Sequence, residues 1–330
     1  MKNLLQFFLL FCCSAISGLS ISAQQLTNAK KADSVLNLMT LEEKIGQMNQ
    51  YNDDWLATGP VTIDTDKASQ VRKGQVGSLL NCLGTQRVRK WQEIAMQSRL
   101  KIPLLFGQDV IHGFKTTFPI PLAEACSWDL DAIELSARIA ANEASASGIN
   151  WTFAPMVDIA RDPRWGRVME GAGEDTYLGS KIAFARVKGF QGKKIGNLDA
   201  LMACAKHFAG YGAAVGGRDY NSVDMSYRQL WEVYLPPFKA TVDAGVATFM
   251  NAFNDLNGIP ATGNQYLQRD ILKGKWGFNG FVVSDWGSIG EMINHGNVGN
   301  EYEAAKAAVT AGCDMDMESS AYRYHLRSEE

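Results

Sequence analysis

Histidine, cysteine and proline are scarce in this 330-residue chain, at 4, 6 and 9 residues. Of the four histidines (His112, His207, His295 and His325) no two lie at metal-ligand spacing. Asp109 and His112 are separated as ligands are, but a third partner is lacking, so neither a metal nor another cofactor is expected. Charge of one sign is also lacking: 32 Lys and Arg face 35 Asp and Glu, a net charge of -3. That gives no electrostatic case for nucleic acid, an anionic membrane or a polyanionic substrate. There is no glycine-rich phosphate loop. The one apolar run of note is residues 4–13. With Lys2 before it and small residues at 20–23 after it, it reads as a signal peptide over 1–23, too short for a spanning helix of ~20 residues. The expected address is export, to the periplasm or the medium, without a membrane span. Cys12 and Cys13 would leave with this leader. Cys82, Cys126, Cys204 and Cys313 are irregularly spaced in apolar contexts, which predicts buried free thiols rather than a disulfide framework.

What is present is ordinary globular material, 46% hydrophobic and 20% charged, enough for a sizeable core. Thr40-Leu41-Glu42-Glu43 forms a capping box for a helix through 44–48. Beyond a turn-rich stretch at 51–66, short apolar runs alternate with helical periods. Strands are expected at 76–80, 103–108, 151–157, 201–205, 247–252, 281–284 and 312–317. Helices are expected at 86–99, 130–147, 180–189, 227–244, 265–273 and 301–310. Continuous apolar strands imply burial on both faces and hence a parallel sheet. Polar residues follow the strands in turn: Asn81, Asp109, Asp158, Lys206-His207, Asn254 and Asp285, with Asp314 and Asp316 at the seventh. Such residues recurring at one end converge on the mouth of a barrel; in an open sheet those on outer strands would have no reason to be there. The fold class expected is α/β, a (β/α)8 TIM-type barrel over 24–330. Seven strands fall short of eight, so incompleteness at the C-terminus is expected too.

The stretch Gly280-Phe281-Val282-Val283-Ser284-Asp285-Trp286-Gly287 carries the chemistry. A dry strand ends in a carboxylate and an indole, whose flat face suits the C–H face of a sugar. Alone, the string reads equally well as a helix-capping Asp and a core Trp. Acidic residues, Trp and His around a barrel mouth point to a neutral polyol. Retaining glycoside hydrolysis needs one carboxylate as nucleophile and a second carboxyl as acid, ~5–5.5 Å apart. Asp285 fits the first role. Asp109 is placed to accept from adjacent hydroxyls. Lys206 would donate to hydroxyls and keep a neighbouring carboxylate ionised. Lys206 and His207 are consecutive, so both reach the site only if their strand twists or ends there. Residues 161–175, dense in both charges and glycine, read either as a solvated loop or as an ion-paired loop over the site.

Taken together, Asp109-Val110-Ile111-His112-Gly113, Phe153-Ala154-Pro155, the segments 161–167 and 170–175, Lys206-His207-Phe208, Asn257-Gly258-Ile259-Pro260 and Val283-Ser284-Asp285-Trp286 resemble glycoside hydrolase family three, the β-glucosidase and β-xylosidase group. The resemblance implies an N-terminal barrel domain with Asp285 as nucleophile. It implies a first sugar subsite formed by Asp109, Arg167, Lys206, His207 and Met250, with Trp286 near its exit and Phe253 in packing only. The loop 209–220 lacks the histidine of the family's β-N-acetylhexosaminidase branch, which favours the β-glucosidase type. There the acid/base glutamate comes from a second α/β domain, which these 330 residues do not contain. The expected substrate is an oligosaccharide or β-glucoside, cleaved poorly by this chain alone; the alternative is a non-catalytic sugar-binding remnant.

Overall fold

The computed structural model describes residues 28–53 and 66–326. The expected leader at 1–23 and residues 54–65 of the turn-rich stretch lie outside the described residues. Eight strands run parallel among them: β1 (Asn49–Asn52), β2 (Ser78–Leu80), β3 (Leu105–Gln108), β4 (Trp151–Thr152), β5 (Cys204–Phe208), β6 (Thr248–Asn251), β7 (Phe281–Val283) and β8 (Asp316–Met317). They form two arcs, β8-β1-β2-β3-β4 and β5-β6-β7. Parallel bridges close both seams: Trp151 to Met202 and Met156 to Lys206 on one side, Val283 to Met315 on the other. The result is a barrel ring of the (β/α)8 type. A small antiparallel hairpin, Asp255–Leu256 with Ile259–Pro260, follows β6.

The strand missing from the sequence reading is β1, Asn-Gln-Tyr-Asn, which has no apolar run to mark it. All four residues are buried, and each polar side chain has a local partner. The Asn49 amide donates to the Ile45 carbonyl at 2.8 Å, Gln50 donates to Ser78 Oγ at 2.7 Å, and Asn81 donates to Asn52 Oδ1 at 2.7 Å. These bonds let polar groups occupy a central strand, although Asn49 Oδ1 and Gln50 Oε1 are buried acceptors without a hydrogen-bond partner. The helical layer is less regular: β8 is followed by the short helix Ala321–His325.

Side chains alternate across the ring. Trp151, Phe153, Cys204, Met250, Val283, Met315 and Met317 fill its interior, where Trp151 Nε1 donates to Thr248 Oγ1 at 2.8 Å. Phe106, Phe208, Phe249 and Val282 point outward, to the layer shared with the helices. The capping box at Thr40 is present, with Glu43 and Thr40 exchanging bonds at 2.9 and 3.2 Å. The helix expected over 227–244 is broken into Tyr227–Gln229, a wide-turn segment Leu230–Tyr234 and Pro236–Asp243. Two consecutive prolines, Pro236 and Pro237, remove the amides a continuous helix would need. All four described cysteines are free; Cys82, Cys204 and Cys313 are buried as expected, but Cys126 is exposed. It stands just past the helix Pro121–Ala125, in an exposed stretch that continues through Trp128.

Candidate active site

Side chains from the C-terminal ends of the strands enclose a cavity of about 450 Å³, within the size range of small-ligand clefts. Asp109 enters just past β3, Arg167 and Glu170 from the loop after β4, Lys206 and His207 from β5, Met250 from β6, and Asp285 and Trp286 just past β7. All seven residues singled out from the sequence thus line one space.

Asp285 is held by the turn that leaves β7. The amides of Ser284 and Gly287 donate to the carbonyls of Met315 and Met317 at 2.8 and 2.9 Å, tying that turn to β8. Asp285 Oδ1 accepts from the Trp286 amide at 2.7 Å. Its other oxygen, Oδ2, lies 3.4 Å from His207 Nε2 and is a buried acceptor without a hydrogen-bond partner. Burial pushes this carboxyl up to about 6, against the charges of Arg167 and Lys206.

His207 is fixed from behind by Asp158, whose Oδ2 meets both its amide at 2.8 Å and its Nδ1 at 2.9 Å. Burial, with the charges of Arg167 and Lys206, lowers the imidazole well below its ordinary value, so the ring is neutral. With its one proton on Nδ1, Nε2 presents a lone pair to Asp285 Oδ2, and two acceptors face each other. Burial also raises Asp158, to about 7. As pH falls through 7 to 6, the line Asp158–His207–Asp285 therefore takes up a further proton, which relieves that opposition.

Lys206 and His207 lie inside β5 rather than after it, a correction to the strand expected at 201–205. The register against β6 shifts between Ala205 and Phe208, and this irregularity brings both consecutive side chains to the cavity. The peptides Lys206–His207 and Phe208–Ala209 are cis. Lys206 Nζ donates to Asp109 Oδ1 at 2.8 Å. Arg167 grips Glu170 with two bonds, of 2.7 and 2.9 Å, and lies over the Tyr211 ring at 5.6 Å. The loop beneath is pinned where Trp165 Nε1 donates to Asp219 Oδ1 at 2.9 Å. Of the two readings of residues 161–175, the ion-paired one holds at Arg167, while the Arg164–Asp162 pair is in solvent. His112 and His295 bond the carbonyls of Phe118 and Phe253, both at 3.0 Å, structural roles for both.

Sequence reasoning missed Asp158 as the support of His207, and missed Tyr220 and Glu291, which line the cavity. The strand-end position of Asp158 was a usable signal. Tyr220 and Glu291 arrive through the fold of a loop and a helix, and no local pattern marks them. Phe253, expected to pack, packs against Tyr220 with ring centroids 4.2 Å apart and lines the cavity too.

The fold is a parallel barrel of the (β/α)8 type with its cleft at the C-terminal mouth. The chain belongs to glycosyl hydrolase family 3, since the family model "Glycosyl hydrolase family 3 N terminal domain" matches residues 40–327. A periplasmic beta-glucosidase of Salmonella typhimurium is 45% identical over 293 residues, 88% of this chain and 38% of its own length. A beta-xylosidase of Formosa agariphila is 38% identical over 240 residues, 68% of this chain and 33% of its own. The crystal structure of a beta-glucosidase from Listeria innocua in complex with isofagomine superposes with a TM-score of 0.87 at 44% identity, over 90% of this chain and 42% of that one. The chain thus spans well under half of these relatives.

Proposed function

We propose that this chain is the barrel of a retaining, exo-acting β-glycosidase, of β-glucosidase type, that releases terminal non-reducing β-D-glucosyl residues. The observation that carries the reading is Asp285 Oδ2, an unmet buried acceptor on a rigid strand end inside the cavity. In this reading Oδ2 attacks the anomeric carbon, the bond to the leaving oxygen breaks, and a glycosyl ester forms on Asp285. Asp109, Lys206, Arg167 and His207 hold the sugar hydroxyls, Met250 packs beneath the ring and Trp286 borders the exit. Glu170 is engaged by Arg167, and Asp109 by Lys206, so neither is free to protonate the departing oxygen. Loss of general acid catalysis costs ~10²–10⁴-fold. The 330 residues alone should therefore act best on aryl glucosides with acidic phenols. The expected leader, together with the name of the Salmonella relative, supports export to the periplasm.

The test is trapping with a 2-fluoro glucoside followed by peptide mass mapping. Label on Asp285, and none in Asp285→Ala, is the expected result; label elsewhere overturns the assignment. Sugar binding by calorimetry without any label would instead favour the non-catalytic reading. Comparing p-nitrophenyl glucoside with the xyloside tests the sugar, because relatives with both names match this chain.

A further inference from the structure

The cavity has two unlike halves. On the side of β3 to β5, each charged group already has a protein partner: Lys206 with Asp109, Arg167 with Glu170, His207 with Asp158. On the side of β6 and β7 the wall is aromatic, made by Trp286, Phe253 and Tyr220, and beyond Asp285 at the strand end it carries the carboxyl of Glu291. Gly287, at φ 68°, turns the chain off the strand end, a conformation suited to glycine. The helix Ser288–Asn294 that follows is tied back by the Glu291 amide, which bonds the Gly287 carbonyl at 3.2 Å. That turn sets the Glu291 carboxyl in the same cavity as Asp285, half-buried. Unlike the other carboxyls there, it has neither a hydrogen bond nor an ion pair among the described residues.

A carboxyl that lines a cavity without a protein partner is open to a hydrogen bond from a ligand hydroxyl. We infer that Glu291 is a specificity-determining residue on the leaving-group side, bonding a hydroxyl of a second sugar whose ring lies against Trp286 and Tyr220. The inference rests on the proposed function and adds to it a contact to a second sugar, so that β-linked disaccharides and oligosaccharides gain binding that a phenol leaving group does not. Supporting this, burial and the charge of Asp285 push the Glu291 carboxyl up to about 7. Near neutral pH it can then either donate to or accept from a hydroxyl, and it would repel an anionic leaving group when ionised. The aromatic wall beside it offers faces for sugar C–H groups.

The test uses the 330-residue chain, with calorimetric binding of glucose, which occupies one half, and of cellobiose, laminaribiose and gentiobiose, which occupy both. Glu291→Ala should leave glucose affinity within about twofold. It should weaken at least one disaccharide by about fivefold, the scale of one hydrogen bond of ~1 kcal/mol. Glu291→Gln, which keeps a donor and an acceptor, should recover part of that loss. Equal loss for glucose and all disaccharides, or no loss for any, overturns the inference. So does rescue of Glu291→Ala turnover by azide, which would make Glu291 the acid instead. Failure of the wild-type chain to bind any of these sugars would sink the underlying glycosidase reading. Labelling of Asp285 in the Glu291 variants keeps the two failures distinct.

Discussion

At the scale of single residues, the cavity is built from groups held in unfavourable states. Asp285 has a folded-state pKa of about 6, well above the ~3.9 of an unfolded chain. A raised carboxyl is most stabilising when protonated, so its contribution is lost as pH rises from about 4 through 6. The difference amounts to about 3 kcal/mol. Asp285→Asn removes that penalty. Thermal unfolding should therefore find the variant more stable than the wild type at pH 8, with the gap closing near pH 4; a gap independent of pH would remove the argument. Asp158 acts one step back, through His207. Asp158→Asn deletes an anion that meets both the amide and Nδ1 of the ring. Bonds to charged groups contribute ~1.5–3 kcal/mol, so labelling by the 2-fluoro glucoside should slow about tenfold or more. Its pH profile should lose the inflection near 7, while glucose affinity changes little. A merely structural role for Asp158 would lower stability and leave the profile's shape intact.

At the scale of elements, what could be read from the sequence followed where apolar patterning survived. Seven of the eight strands show as continuous apolar runs because each is dry on both faces. β1 does not, since three of its four residues are amides, whose partners are Ile45 nearby and Ser78 and Asn81 farther along the chain. Asp285, Lys206 and His207 could be placed because strand ends are fixed points of the fold; Tyr220 and Glu291 could not, because their positions depend on how a loop and a turn close. Helix contacts show the same dependence. The helices Leu130–Ala146 and Thr176–Gln191 meet where Glu134 and Ala137 on one approach Gly189 on the other. A Cβ on Gly189 would clash with the Glu134 carbonyl and come within 2.6 Å of the Ala137 Cβ. Gly189→Val is expected to cost about 1–3 kcal/mol or more from overpacking, read as a lower denaturant midpoint. Because this contact lies on the outer layer, Asp285 labelling at temperatures below the transition should be unaffected.

At the scale of the whole molecule, the cavity straddles a seam. Asp109 belongs to the five-strand arc and Arg167 to the loop that leaves it, whereas Lys206, His207, Met250 and Asp285 belong to the three-strand arc or its end. The arcs join through isolated bridges at 151–202, 156–206 and 283–315, and the Lys206–Asp109 pair crosses the first seam at 2.8 Å. A sugar held by both Asp109 and Asp285 would thus tie the arcs together, and its binding energy would appear in the stability of the entire ring. Ligand at 100 times its Kd adds about 2.7 kcal/mol to a protein that binds it only when folded. Isofagomine, whose cationic nitrogen would meet the ionised Asp285, should therefore raise the unfolding temperature of one cooperative transition as a unit. The shift should shrink below pH 6, where Asp285 becomes protonated, and vanish in Asp285→Ala. Calorimetry that resolved two transitions, only one of them moved by ligand, would mean that the arcs melt independently and that the cavity belongs to one of them alone.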